Sequence, residues 1–455
     1  METMKRIENK FSQSLTVKAF MIAFLSLLLL IPNALIIDLI QERQNRSIET
    51  IDKINDKWSQ SQTICGPILT IPFTKTYLNE KKETVQSEHE LHLTPENLTI
   101  HTQLFPEERH YGIYKTILYK SEIRMSGQLP DLNHLKNEDK NSVIHYDEAF
   151  LSLGISDLRG LTNEINFQIN GKSYPVETGG SDRISGKKLV IALPHLLTLD
   201  PESIYTFECK LNLNGSSHID FIPIGNTSKV EVEGAWKDPG FTGSFTPDYT
   251  LTENGFKASW SVLSFNRSIP ASWIDTTSDF EDTSFGVNLV ETVDHYQQNM
   301  RSSKYSLMFI ALTFVVFFFV EVLTKKRIHP IQYLLVGLAL ILFYSLLLSI
   351  SEQVNFALAY LISSIATIAL ITGYTSGIFK NKTQTGILAL ILSVLYLFLY
   401  VVLQLEDVAL LIGSIGLFII LGIIMYFSQK IKWYKAEENG VPEEEDKVVE
   451  TIIES

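Results

Sequence analysis

Apolar residues in this chain are gathered into six long runs: Ala19–Ile37, Tyr305–Leu323, Ile331–Ile350, Val354–Tyr374, Gly386–Leu405 and Val408–Phe427. Each is close to the ~20 residues with which a helix crosses a hydrocarbon core. Between the first run and the second, over residues 38–304, the period changes. Glu90-Leu91-His92-Leu93 and residues 203–207 alternate apolar and polar, as half-buried strands do. Three Asn-Gly pairs, Asn170-Gly171, Asn214-Gly215 and Asn254-Gly255, sit among such alternations. Both residues tolerate the positive φ of a type I′ turn, so each pair predicts a hairpin. The pattern predicts an α-helical membrane bundle of six spans plus a β-rich, largely antiparallel domain. Ile48, Ile51 and Trp58 extend a narrow apolar stripe beyond the first run, so that helix is expected to continue until Gly66 and Pro67 end it. Residues 177–188, rich in Gly and Ser, read as a hinge between two halves of the β-rich domain.

Charge orients the runs. Lys5, Arg6, Lys10 and Lys18 precede the first; Lys325, Lys326 and Arg327 follow the second; Lys380 and Lys382 lie between the fourth and fifth; Lys430, Lys432 and Lys435 follow the last. The alternate connections hold only Glu352, Glu406 and Asp407. Since Lys and Arg are retained on the cytoplasmic side, residues 1–18 and 428–455 are expected in the cytoplasm and residues 38–304 are exported. The first run is too long for a cleaved signal and lacks a small-x-small site after Pro32-Asn33, so it reads as a signal anchor.

Composition changes the picture little. The 455 residues carry a net charge of −13, part of it in an acidic C-terminal tail expected to be solvated and disordered. The exported region lacks the basic, aromatic-studded surface that nucleic acid requires. Its two cysteines, Cys65 and Cys209, are permitted to pair in an oxidising compartment. A domain this large buries enough apolar surface without a staple.

The search for chemistry returns little. His89 and His92 flank Glu90, but on a strand they point to opposite faces, and the spacing is one short of the His-Glu-x-x-His motif. Gly180 to Lys187 departs from a phosphate-binding loop in its glycine spacing and in Lys188, where Ser or Thr is needed. No Gly-x-Ser-x-Gly elbow occurs. No catalytic residue, cofactor or metal ligand is therefore assigned. Within the later spans Glu321 is the one clearly internal ionisable group, near enough to the cytoplasmic edge to pair with Arg327 or His329.

Several strings, in order, now carry a resemblance: Gly66-Pro67-Ile68-Leu69-Thr70-Ile71-Pro72, Tyr111-Gly112-Ile113-Tyr114, Ser156-Asp157-Leu158-Arg159-Gly160, Asn254-Gly255-Phe256-Lys257-Ala258-Ser259-Trp260 and His329-Pro330-Ile331-Gln332-Tyr333 with the run that follows. The chain resembles the CreD family of bacterial inner-membrane proteins, also called cell envelope integrity proteins, most specifically from Phe314 to Glu352. The resemblance implies a Gram-negative inner-membrane protein tied to a two-component response and to envelope maintenance, including tolerance of certain colicins. It implies no established reaction or catalytic residue. Glu321, Arg327, His329, Gln332, Tyr333 and Glu352, where motif and polar chemistry meet at a membrane edge, are the candidate positions. The turn from Lys325 to Pro330 is expected to fix two spans through Glu321 and Arg327.

The expected function is a non-enzymatic inner-membrane protein supporting envelope integrity and the envelope stress response. Its periplasmic domain contacts envelope or cell-wall components and its spans contact the bilayer. A transporter or channel-like component is the first alternative, needing a polar route along Tyr344, Ser345, Ser349, Ser363, Ser364 and Thr367. A membrane-proximal lipid or cell-wall enzyme is the second, needing a concave site with converging carboxylates, Arg or His.

Overall fold

A computed structural model of the chain describes residues 15–78, 81, 83–130, 142–182, 186–194, 204–275, 280–289, 295–324, 328–405 and 409–429. Lys325, Lys326, Arg327, Glu406, Asp407 and the acidic tail beyond 429 lie outside the described residues. The apolar runs are helical. α1 (Leu15–Leu28) and α2 (Leu30–Trp58) are joined by helical bonds from Leu29 N–H to Leu25 (3.0 Å) and from Asn33 N–H to Leu29 (3.2 Å). They act as one helix, Val17–Trp58. α3 (His295–Lys304), α4 (Ser306–Thr324), α5 (Pro330–Ser351), α6 (Phe356–Phe379), α7 (Lys382–Gln404) and α8 (Ala409–Ser428) follow the β-rich region. Among the described residues five helices are long and apolar enough to cross a membrane, or six if α3 and α4, bent by 47°, form one span.

Capping side chains set the helix limits. Asn355 accepts from Leu358 N–H and Asn381 from Thr383 N–H, each at 2.9 Å, opening α6 and α7. Lys380 closes α6 in the left-handed region. The expected spans 354–374 and 386–405 thereby become Phe356–Phe379 and Lys382–Gln404, because polar end turns join the helices.

The described chain divides into two compact units, Met1–Arg43 with Asp294–Ser455, and Gln44–Val293. In the helical unit Phe314, Phe317, Tyr333, Phe343, Leu347 and Tyr396 are buried in one core. Gly337 permits the N-terminal helix to approach α5, since a Cβ there would lie 2.2 Å from Leu29 Cδ1. The outward faces carry Leu342, Ile365, Leu390 and Phe418, all more than half exposed within the protein. Lipid, not water, is the solvent that suits such a surface.

The second unit is built of strands. In chain order they are β1 (Gln62–Leu78), β2 (Thr84–Leu93), β3 (Asn97–Tyr111), β4 (Tyr114–Gln128), β5 (Ser142–Ile144) and β6 (Phe150–Ile155). β7 (Asn166–Ile169), β8 (Lys172–Tyr174), β9 (Glu177–Asp182), β10 (Gly186–Ala192), β11 (Thr206–Ser216) and β12 (His218–Phe221) come next. The series ends with β13 (Thr227–Gly234), β14 (Gly240–Gly243), β15 (Asp248–Thr252), β16 (Gly255–Leu263), β17 (Ser272–Ile274) and β18 (Phe285–Asn288). One sheet runs β14-β18-β12-β1-β6-β10-β9, with β2 and β5 also on β1 and β17 on β2. The other runs β15-β16-β13-β3-β4-β11-β7-β8. The ladders β1–β12 and β3–β13 are parallel and the rest antiparallel. A single core takes side chains from both sheets, among them Ile68, Leu151, Ile100, Met125 and Phe207.

Several expectations need correction here. Asn170 (φ 47°) and Gly171 (φ 78°) form the type I′ turn between β7 and β8. Asn254 precedes β16 in a hairpin, but its turn is Glu253-Asn254, and neither Asn254 nor Gly255 has positive φ. Asn214-Gly215 is not a turn: it lies within β11, where Gly215 leaves room for Tyr119, whose hydroxyl would sit 2.3 Å from a Cβ. The chain turns later, at Ser217 with φ 62°. Of the expected hinge, residues 183–185 lie outside the described residues; the flanking β9 and β10 pair at the edge of the first sheet within one unit. The helix ends at Trp58, not at Gly66-Pro67, which lie inside β1 at its register shift against β6. No disulfide joins Cys65 to Cys209; both side chains are buried in the core, where they pack as small groups. Burial pushes the Cys209 thiol up to about 12.

Candidate functional site

The candidate residues gather into two nodes at opposite ends of α5. At its start, His329 accepts from Ile331 N–H (3.4 Å) while its own N–H donates to Gln332 Oε1 (2.9 Å). With Pro330 at the first helical position, where its missing N–H costs nothing, the two side chains open the helix. One turn in, the Tyr333 hydroxyl donates to Glu321 Oε2 (3.0 Å), and Ile328 N–H donates to Glu321 Oε1 (3.1 Å). Lys18 of α1 supplies the ion pair to the same carboxylate. Phe314 and Phe317 meet the Tyr333 ring at steep angles, enclosing the node. Glu321 is 5% exposed, and its two oxygens face the Ile328 amide, the Tyr333 phenol and the Lys18 ammonium.

Of the two partners expected for Glu321, His329 is spent on the helix start and Arg327 lies outside the described residues; among the described residues the ion pair comes from Lys18. Charge sign hinted at this pairing, but only the fold brings residues 18 and 321 together.

At the far end of α5, Glu352 accepts from Arg43 Nε (2.8 Å) and Nη2 (2.5 Å) in the two-pronged geometry guanidinium favours, and from the Tyr296 hydroxyl (3.1 Å). Burial alone would raise its carboxyl, but Arg43 and Tyr296 hold it below the usual carboxylate range. Beside it, Asn299 donates to Ser351 Oγ at 2.8 Å, tying α3 to α5. Sequence reasoning missed Arg43, Tyr296 and Asn299. The signal for Arg43 was its distance along the helix. Lys18 and Arg43 are separated by about 38 Å of helix and α5 spans about 33 Å, at 1.5 Å per residue. The N-terminal helix is therefore pinned near both ends of the bilayer-length α5, through Glu321 of α4, which Tyr333 of α5 also bonds, at one end and through Glu352 at the other.

A third polar node closes α2 within the β-rich unit. Asp157 accepts from Ser59 Oγ (3.2 Å), Gln60 N–H (3.1 Å) and the Arg159 guanidinium (2.8 Å to Nη2), while Arg159 Nη1 donates to the Asp56 carbonyl (2.9 Å). Burial would raise the Asp157 carboxyl, but these donors, led by Arg159, hold it well below the usual range.

Other singled-out side chains are accounted for locally. His89 bonds Asp275 (2.7 Å) and stacks on Phe73; His92 bonds Thr70 (3.0 Å) and stacks on Trp273. Among the described residues no group of three His, Cys, Asp or Glu is placed to hold a metal. Of the hydroxyls expected to line a route, Thr367 bonds the carbonyl of Ser363 in its own helix and Ser349 faces outward. Tyr344 is buried against the Phe343 ring, and Ser363 and Ser364 are buried in the helical unit.

The β-rich unit has two adjoining hollows on the outer face of its second sheet. One, about 250 Å³, is lined by His101, Glu122, Arg124, Glu231, Glu233 and Lys257; the other, about 380 Å³, by Trp58, Phe105, Lys120, Glu122, Thr162 and Asn212 among others. This is the concave surface with carboxylates, Arg and His that the second alternative required. Glu231 is engaged by Lys257 (3.3 Å) and His101 (3.4 Å).

These features define a multi-pass membrane protein with a β-rich unit inserted after its first apolar helix. The family model described as "Inner membrane protein CreD" matches residues 14–434. The inner membrane protein CreD of Escherichia coli (strain K12) is 31% identical over 415 residues, covering 90% of this chain and 91% of that protein. The chain belongs to the CreD family of inner membrane proteins. Among solved structures, an M1 zinc metallopeptidase from Deinococcus radiodurans matches 37% of the chain and 38% of its own, at 11% identity and a TM-score of 0.18. Native leukotriene A4 hydrolase from Saccharomyces cerevisiae matches 48% and 35%, at 10% identity and a TM-score of 0.19. Likeness at that level assigns neither fold nor activity.

Proposed function

We propose that this protein is a non-enzymatic support of the cell envelope. Six spans hold it in the inner membrane with both termini in the cytoplasm, and its β-rich unit lies in the periplasm, where it recognises envelope components. The observation that supports this reading is how the polar residues of the most family-specific stretch are used. Glu321, His329, Gln332, Tyr333 and Glu352 are each engaged in opening a helix or pinning one helix to another. Their role in this reading is positional, and recognition falls to the exported unit.

Site-specific photo-crosslinking from exposed positions of the β-rich unit in living cells tests it. Enrichment of a cell-wall or outer-envelope component over a control crosslinker placed at Lys382 is expected. Recovery of general chaperones alone contradicts it.

A further inference from the structure

We infer that the outer face of the second sheet binds a neutral, hydroxyl-rich oligosaccharide; the inference rests on the proposed placement of this unit outside the cytoplasm. The two hollows share Glu122, so they form one groove crossing β16, β13, β3, β4 and β11. Four strand spacings make it about 19 Å long, enough for several sugar rings.

Its lining narrows the ligand class. Phe105 is 45% exposed in the midst of polar neighbours, which leaves its ring face open to a ligand. It lies opposite Lys120, which lies opposite Asn214; the next row outward holds Gln103, Glu122 and Asn212. Trp58 flanks the same hollow. Apolar rings beside amides and a carboxylate suit a molecule with apolar ring faces and hydroxyl edges. Charge disfavours polyanionic ligands. Along the groove Glu122, Glu231 and Glu233 face His101, Arg124 and Lys257, with Glu231 engaged by both Lys257 and His101. So balanced a surface offers little net attraction to a polyanion such as nucleic acid or to an anionic lipid surface.

The test uses the full-length protein in detergent, with chitohexaose as probe and titration calorimetry as readout. Saturable binding is expected, weakened at least tenfold in Phe105→Ala and in Asn212→Ala. Both positions lie on the solvated face, and an unchanged melting temperature confirms that each variant is folded. Absence of binding, or binding undiminished in both folded variants, overturns the inference and leaves the broader envelope reading standing. Tighter binding of heparin than of chitohexaose also overturns it. Binding followed by cleavage of the probe upholds the saccharide assignment and overturns the non-enzymatic reading.

Discussion

At the scale of single residues, the argument turns on Glu321. A carboxylate this buried is stable only while its partners remain, so removing one is more damaging than the pair is stabilising. Lys18→Ala, which leaves the Glu321 carboxylate buried without its ammonium, is expected to lower stability by about 3–5 kcal/mol, and Glu321→Ala, which leaves the more exposed Lys18, by less. The double variant is expected to lose less than the sum. Thermal unfolding of the purified protein in detergent measures this; strictly additive losses would show that the two side chains do not act together. The cysteines make a second residue-scale prediction. No disulfide joins Cys65 to Cys209 and both are buried, so both thiols should resist maleimide in the folded protein and both react in denaturant without prior reduction. Reaction only after reduction would mean that they pair.

At the scale of elements, Asp157 and Gly66 carry the tests. The Asp157 carboxyl is depressed in the folded state, so its contribution is full above the unfolded value of about 3.9 and disappears as pH falls through the lower folded value. Asp157→Asn should therefore reduce stability at neutral pH, with the gap to wild type narrowing below about pH 4. A gap that stays constant to pH 2 would remove the carboxylate's charge from the account. Gly66 has φ +127°, and a Cβ there would meet the Ser152 carbonyl at 2.9 Å and Leu153 Cα at 3.0 Å. Gly66→Ala should cost at least about 1 kcal/mol, read from denaturant unfolding.

These elements also show what was legible beforehand. Apolar runs revealed the helices because a span must be continuously apolar, and Asn170-Gly171 revealed its hairpin because both residues supply positive φ. Asn214-Gly215 misled because the same glycine serves another purpose, admitting the Tyr119 ring beneath β11. Candidate positions were found through motif and polarity. Their partners, Lys18, Arg43 and Tyr296, were not, since pairing across 56 to 309 residues leaves no local periodicity. The groove was equally hidden: His101, Glu122, Glu231 and Lys257 converge only through strand register.

At the scale of the molecule, the account joins a pinned helical unit to a β-rich recognition unit in one chain, and all of its functional content depends on which side of the membrane the second unit occupies. Single-cysteine variants in a background lacking Cys65 and Cys209 decide this, with a membrane-impermeant maleimide applied to spheroplasts. Lys172→Cys lies in the β7–β8 hairpin and Lys382→Cys at the start of α7, both at exposed positions. Labelling of Lys172→Cys in intact spheroplasts, and of Lys382→Cys only after lysis, is the predicted result. The reverse pattern would place the β-rich unit in the cytoplasm and contradict the account.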